Sequence, residues 1–236
     1  MTRLYAIGDV HGCIDALNEL LIKIQKDAKG EKHKIIFLGD YVDRGPDSKA
    51  VIEKLMDLEQ QNGPHLEYIF LRGNHEDLFF RGDHNWIYNG GGTTINSYSK
   101  DDVIYEGIMN NHRSWLQEHT KFYHTEDKYL FVHAGMNPHV KHMETVTDEE
   151  YMWSRAWTSY DGIFSCGYFV IHGHTPVEVP HKLTAQLNID TGCAYGKAHP
   201  QYGKLTAVCI HDSNEIIKNI DLDYHFLTTR QYPKEE

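Results

Sequence analysis

The sequence predicts an α/β (α+β) domain in which two mixed sheets pack face to face with helices outside. Three observations predict it. Apolar runs of four residues, rich in aromatic and β-branched types, recur at Leu4–Ile7, Ile35–Leu38, Tyr68–Leu71, Tyr129–Val132 and Tyr168–Ile171. Runs of this length bounded by glycine read as buried strands. The first three alternate with segments of helical spacing, which is the order of a parallel sheet with right-handed crossovers. Beyond about residue 120 the strands follow one another with few helices between them, which suits an antiparallel or mixed sheet.

Each element has a local reason. After the first strand, Ile14, Leu17, Leu20, Leu21 and Ile24 repeat at helical spacing, with Asp15 and Glu19 near the helix start. The second strand, Lys34–Leu38, leads to Gly45-Pro46-Asp47-Ser48, where Asp47 or Ser48 can cap a helix carrying Val51, Ile52, Leu55, Met56 and Leu58. Asn62-Gly63-Pro64 stops that helix, and a third strand, Leu66–Leu71, follows. The stretch at about 77–120 breaks the alternation, so it is expected to be an inserted helical and loop subdomain within a single domain spanning 1–236. Within it, 89–94 reads as a structural loop followed by a pair of helices. Trp86, Tyr88, Trp153, Trp157 and Tyr160 are expected in the core. Later strands are expected at Phe122–Thr125, Tyr129–His133, Tyr168–His172, Gln186–Asp190, Leu205–Ile210 and Ile216–Ile220, with a hairpin turn at Asp127-Lys128. His172 is expected to face the core or to support His174 from behind.

Composition narrows the functional classes. With 34 acidic against 23 basic residues the net charge is −11, which disfavours a duplex nucleic-acid binder. No apolar stretch approaches the roughly 18 residues of a membrane span. The first strand is expected almost at Met1, leaving no room for a targeting extension, so a cytoplasmic location is expected. Cys13, Cys166, Cys193 and Cys209 show no C-x-x-C spacing and read as reduced cytosolic thiols. Seventeen histidines are many for this length; most, including His33, His112, His211 and His225, sit in polar or turn-like contexts and are expected at the surface without a role.

The strand ends carry the chemistry. Each of the five runs stops at a glycine beside a histidine or an aspartate, and ligands in such sheets bind beyond the carboxyl ends of the strands. Asp9, His11, Asp40, Asn74, His133 and His174 are thereby placed around one mouth. Asp9 and His11, two residues apart, can point the same way. Asp40 can bridge two metals through its two oxygens, Asn74 offers an amide oxygen, and His133 and His174 offer nitrogens. Nitrogen and oxygen ligands without thiolate suit Mn²⁺, Fe²⁺ or Zn²⁺. Two metals about 3.5–4 Å apart can clamp an in-line phosphoryl displacement and turn bridging water into a hydroxide nucleophile. Arg44 is suited to bidentate phosphate binding, His75 can protonate the departing oxygen, and Asp43 can orient His75.

Gly8-Asp9-Val10-His11-Gly12, Gly39-Asp40-Tyr41-Val42-Asp43-Arg44-Gly45 and Gly73-Asn74-His75-Glu76 resemble the three signature blocks of the phosphoprotein phosphatase family. His133-Ala134-Gly135 and Gly173-His174 resemble its two later histidine blocks, in the right order. The resemblance covers about residues 1–210 and is strongest to the compact bacterial and bacteriophage members of the phage lambda phosphatase type. It implies a four-layer α/β/β/α metallophosphoesterase sandwich with two metals. Asp9, His11 and Asp40 would hold one; Asp40, Asn74, His133 and His174 would hold the other. It also implies His75 as the acid, Asp43 as its partner and Arg44 as a phosphate ligand, and Trp153-Ser154-Arg155 is similar to the segment that supplies a second phosphate-binding arginine.

Two departures bear on substrate. Symmetrical dinucleoside tetraphosphate hydrolases of this family generally carry Gly-Asn-His-Asp and lose the aspartate that here is Asp43; this chain has Glu76 and keeps Asp43. The expectation is therefore a protein serine/threonine phosphatase with two divalent ions, manganese first, acting by direct attack of metal-bridging hydroxide on a phosphoprotein. Alternatives are hydrolysis of dinucleoside polyphosphates such as diadenosine tetraphosphate, or of small phosphate esters, and, more remotely, a non-catalytic binding scaffold. No Cys-x₅-Arg loop is present, which excludes a thiol-based phosphatase.

Overall fold

The computed structural model describes residues 2–100, 103–211 and 224–232. Strands β1 (Arg3–Ile7), β2 (His33–Phe37) and β3 (Leu66–Leu71) pair in parallel, with Tyr5 opposite Ile35 and Ile35 opposite Tyr68. Their crossovers are α1 (Ile14–Ala28) and α2 (Ser48–Glu59). Short β6 (Thr120–Lys121) extends the sheet beside β3. On the other edge β12 (Thr206–Ile210) runs antiparallel to β1, and β13 (Tyr224–Thr228) pairs with β12. The second sheet is also mixed, in the order β10 (His181–Lys182), β11 (Gln186–Asn188), β9 (Phe169–His172), β8 (Tyr129–Val132) and β7 (Tyr123–Glu126). A two-stranded ribbon, β4 (Ser99–Lys100) with β5 (Val103–Ile104), completes the strands.

The continuous apolar runs now have a cause: the first sheet is buried on both faces. Alternate residues divide between two cores. Tyr5, Ile7, Ile35, Phe37, Tyr68 and Phe70 face α1 and α2, meeting Leu17, Leu20, Val51 and Leu55. Leu4, Ala6, Ile36, Leu38, Ile69 and Leu71 face the second sheet, meeting Leu130, Phe131, Val170 and Leu187. The two mixed sheets flanked by helices are those expected. A strand so placed can expose functional groups only at its ends, which is why the site gathers there.

Local signals set the helix boundaries. Of the two candidate caps on α2, Asp47 acts: its Oδ1 accepts from the Ala50 amide at 2.9 Å. Helix α1 ends at Lys29, in the left-handed conformation. Asp127, also left-handed, makes the expected turn of the β7–β8 hairpin. Helix α3 (Asn74–Arg81) leads to α4 (His84–Trp86), a π-helical turn Ile87–Gly91, α5 (Gly92–Ser97) and α6 (Glu106–His119). Leu78, Phe79, Trp86, Tyr98, Met109 and Leu116 of this stretch lie in the same core as α1 and α2. Helix α7 (Asp148–Trp153) lies against the second sheet, with Tyr151 on Tyr123 at 5.1 Å between ring centroids.

Several expectations are corrected. Residues 89–94 are two helical turns joined at a kink rather than a loop; the kink is at Gly90, φ 107°, whose carbonyl accepts from the Arg44 amide. Tyr88 is 87 % exposed, not core. His33 and His112 are buried rather than at the surface; His112 Nδ1 pairs with the Tyr98 hydroxyl at 2.7 Å. β13 was not foreseen because His225 interrupts its apolar pattern, and the strand expected at Ile216–Ile220 lies outside the described residues.

His172, on β9, is fully buried, and burial pushes its pKa down to about 4. Its folded pKa lies below the unfolded value near 6.5, so the stability it allows is full above that value and is lost as pH falls toward 4. Urea midpoints measured from pH 7 to 4 should fall more steeply for the wild type than for His172→Gln. Parallel curves would show that His172 does not contribute.

Candidate active site

The carboxyl ends of β1, β2 and β3 in one sheet, and of β8 and β9 in the other, converge on one cluster. Asp9, His11, Asp40, Asp43, Asn74, His75, His133 and His174 are all buried. The loops after β1 and β2 are tied by backbone bonds: the Val10 and His11 amides donate to Asp40 O, and the Gly12 amide to Tyr41 O. Of the seven non-glycine residues at positive φ among the described residues, five belong here: His11, Asp40, Asp43, Arg44 and His174. Left-handed backbone at non-glycine residues costs energy and persists only where its surroundings over-determine it.

Glu76 supplies much of that determination. Its two carboxylate oxygens accept from the amides of Asp40 at 2.8 Å, Tyr41 at 2.7 Å and Gly73 at 2.9 Å. Burial and the neighbouring Asp40 push its carboxyl up to about 8, against the opposing pull of these amides. Two glycines are required by close approach. A Cβ on Gly73 would stand 2.1 Å from Asp40 Oδ1, and one on Gly173 would stand 2.1 Å from Asp9 Oδ1.

Ring orientations are set from behind. The Nδ1 atoms of His11 and His133 lie 2.8 Å from Val42 O and 2.9 Å from Leu38 O. Each N–H therefore donates to a carbonyl, and each Nε2 lone pair turns inward. His11 Nε2 lies 3.4 Å from Asp40 Oδ2, and His133 Nε2 lies 3.4 Å from Asp40 Oδ1, so one carboxylate spans both histidines. Asn74 Oδ1, His133 Nε2 and His174 Nδ1 stand 2.8–3.1 Å apart. His11, Asp40 and His75 form one potential metal-binding group, and Asp40, His133 and His174 form another. Asp9 adjoins the second of these groups by accepting from the His174 amide at 3.1 Å.

The charge balance calls for cations. Burial, with Asp190 and Asp40 nearby, raises the Asp9 pKa well above its ordinary value. Burial also opposes ionisation of Asp40, but His133, His75, His11 and His174 outweigh it and hold that carboxyl below its ordinary range. Burial lowers the pKa of His11 and His133 and pushes that of His174 down to about 2. His174 Nε2 is buried without a hydrogen-bond partner among the described residues. Buried acceptors this close fit divalent ions held by nitrogen and oxygen.

Beside this cluster His75 Nδ1 lies 2.7 Å from Asp43 Oδ2. Asp43 Oδ1 accepts from Trp86 Nε1 at 2.8 Å and Thr94 Oγ1 at 2.7 Å. Arg44 Nη1 reaches His11 Nε2 at 2.6 Å, and its guanidinium lies over the Tyr195 ring. Arg155 is exposed at the rim, beyond α7, with Nη1 3.2 Å from Thr175 Oγ1.

Sequence reasoning missed Trp86, Thr94, Asp190 and Tyr195. For Asp190 a signal existed: Leu187-Asn188-Ile189 ends at Asp190 and Gly192, a weaker sixth instance of the strand-end pattern. Nothing local marked Trp86 or Thr94, which reach Asp43 from more than forty residues away.

If the cluster holds divalent ions, Mn²⁺ near 100 times its dissociation constant should raise the thermal midpoint of the chelator-treated protein by about 5–10 °C. Asp40→Asn should abolish most of that rise. A shift unchanged in that variant would place the ions elsewhere.

Residues 2–223 match the family model described as calcineurin-like phosphoesterase. The chain is 31 % identical over 235 residues to the bis(5′-nucleosyl)-tetraphosphatase PrpE (asymmetrical) of Oceanobacillus iheyensis, covering 87 % of each protein. In fold it is similar to a cold-active protein-tyrosine phosphatase of a psychrophilic Shewanella species, with a TM-score of 0.64, 18 % identity and coverage of 88 % of this chain and 76 % of that one. It is similar also to a protein serine/threonine phosphatase of Saccharomyces cerevisiae, with a TM-score of 0.59, 16 % identity and coverage of 96 % and 79 %. The strand-end cluster and these matches together show that the chain belongs to the calcineurin-like phosphoesterase family.

Proposed function

We propose that this metal-dependent phosphoesterase hydrolyses dinucleoside tetraphosphates. This reverses the order of the two substrate readings drawn from the motifs. The observation that carries it is a cavity of about 530 Å³ beside Arg44, lined also by Cys13, Cys193, Thr93, Lys197 and Tyr232. A space of this size, partly apolar and carrying two cations, suits a nucleotide attached to the reacting phosphate. The name of the Oceanobacillus relative supports the same substrate class. Asp43 and Glu76 argue against a symmetrical hydrolase; they do not argue against an asymmetrical one.

In this proposal the chain works as one catalytic domain in a cytoplasmic setting. Asp9, His11 and Asp40 hold one divalent ion; Asp40, Asn74, His133 and His174 hold the other, with Mn²⁺ favoured over Fe²⁺ or Zn²⁺. When bound, such ions polarise a phosphoryl oxygen and acidify water. The chain supplies the rest. Arg44 and Arg155 bind non-bridging phosphoryl oxygens, and the Asn74 side chain lies where it can help orient them. Asp43 Oδ2 accepts the His75 Nδ1 proton at 2.7 Å, which leaves His75 Nε2 to protonate the departing oxygen. Trp86 and Thr94 fix the other Asp43 oxygen, so the pair cannot rotate away.

A second reading, a protein serine/threonine phosphatase, is favoured by one observation, the intact Asp43–His75 pair. A non-catalytic scaffold would be expected to have lost a ligand or the acid, and all are present.

With Mn²⁺ supplied, diadenosine tetraphosphate should be cleaved to AMP and ATP, at a kcat/KM at least about tenfold above that for a phosphoserine peptide. Faster peptide turnover, or two ADP as products, would reject this reading. Lys197→Ala should raise KM for the dinucleotide about tenfold while leaving an aryl phosphate unaffected. His75→Asn should lower kcat by about 10²–10⁴-fold yet keep the metal-dependent rise in thermal midpoint. Near-wild-type turnover by that variant would remove the acid assignment.

A further inference from the structure

A second cluster of ligating side chains lies at the opposite end of the first sheet. Cys209 and His211 are two residues apart on and just beyond β12, so they share a face. The β12–β13 register sets His225 directly opposite Cys209. One ligand atom from each of Cys209, His211 and His225 lies within 4.8 Å of the other two. The face is the one that packs on α1, and Asp27 in the last turn of that helix completes the group.

The bonding within it is specific. His225 Nε2 lies 3.1 Å from Asp27 Oδ1, while its Nδ1 lies 3.1 Å from His211 Nε2. Asp27 Oδ2 in turn accepts from the Tyr5 hydroxyl at 2.7 Å, and its carboxylate also pairs with Arg3. A carboxylate so held accepts the Nε2 proton of His225 and directs the Nδ1 lone pair at His211. A histidine bonded by its outer nitrogen to a carboxylate is the usual support of a metal-ligating ring. Nitrogens on one tetrahedral ion, with bonds of about 2.0–2.1 Å, stand roughly 3.3 Å apart. The 3.1 Å here equals the separation of His133 Nε2 and His174 Nδ1 at the candidate active site. Cys209 is wholly buried, which shields a bound thiolate from oxidation, whereas His225 is half exposed. An open cleft of about 660 Å³ reaches His211 and supplies an entry path and room for water.

We propose that Cys209 Sγ, His211 Nε2 and His225 Nδ1 form a separate binding site for a zinc-like divalent ion, with Asp27 orienting His225 and water as a fourth ligand. Its donor set differs from that of the candidate active site by one thiolate, which favours Zn²⁺ or Co²⁺ over Mn²⁺. The ion joins β12 and β13 to the end of α1. Its role is structural, because the cluster stands at the far end of β1 from Asp9 and His11.

The test uses the full chain, stripped by chelator, reloaded and freed of excess metal. Elemental analysis should find one more equivalent of Zn²⁺ in the wild type than in Cys209→Ser or His211→Asn. Cobalt loading should give an intense near-ultraviolet thiolate band that Cys209→Ser lacks, and Asp27→Asn should weaken cobalt binding at this band about 10–100-fold. Equal metal content in wild type and variants, or a band that survives Cys209→Ser, would overturn the site and leave a hydrogen-bonded histidine pair. If Cys209→Ser fails to fold, His211→Asn at the strand end decides alone. Loss of one equivalent upholds the proposal; full content rejects it.

Discussion

The structure depends most on one crowded carboxylate. Asp40 stands with His11 on one side and His133 on the other, each 3.4 Å from a different oxygen, and its Oδ1 also accepts from the His75 amide at 2.9 Å. So close a gathering requires Asp40 to adopt φ 53° and requires glycine at position 73. The local cost is met by bonds from the surrounding chain, above all the Glu76 carboxylate, which gathers the amides of the β2 and β3 loops into one acceptor. Remove that acceptor and several buried N–H groups lose their partner, each at about 1–3 kcal/mol.

From Asp40 outward, the order of support follows the sheet. Parallel register sets the ends of β1, β2 and β3 side by side, so Asp9, Asp40 and Asn74 emerge as neighbours without any side chain steering them. The second sheet contributes His133 and His174, and the two sheets are tied together here by the His133 ring, whose Nδ1 donates to Leu38 O at the end of β2 at 2.9 Å. The site therefore lies across the seam between sheets. Packing between Leu38, Leu71, Val132 and Ile171 is what holds its two halves in alignment.

Much of this was legible because the information is local. A buried strand has to be apolar, its carboxyl end has to turn, and a ligand beside a turn shows as Gly-Asp, Gly-Asn, Gly-His or His-Ala-Gly. Asp9, Asp40, Asn74, His133 and His174 all carry that mark. What was not legible depends on long-range return of the chain. Trp86 reads as a core residue, and it is buried at 3 %, yet its indole nitrogen serves Asp43. The glycine-rich 89–94 stretch reads as a loop because glycine disfavours helices; Gly90 and Gly91 are there to let Arg44 and the Trp86 ring approach. Substrate choice was misordered for a related reason. The motif residues specify how a phosphoryl group is handled, whereas the cavity beside Arg44 is built from Cys193 and Lys197, which no motif includes.

The same reasoning explains why titratable clusters occupy both ends of the first sheet among the described residues. Every side chain of β1 from Leu4 to Ile7 and of β12 from Thr206 to Ile210 is buried, so each ordered polar group must find its partners where the strands run out. At the carboxyl end of β1 the partners are buried carboxyl groups and imidazoles, a nitrogen and oxygen donor set that suits divalent cations. At the amino end Arg3 and Tyr5 saturate Asp27 on one side, while His225 brings its second nitrogen toward His211 and a thiol. Both ends thus turn histidine lone pairs inward by anchoring the opposite ring nitrogen, to a carbonyl in one case and to a carboxylate in the other. That shared device, rather than any likeness of sequence between the two places, is the physical argument for treating both as places where a cation is held.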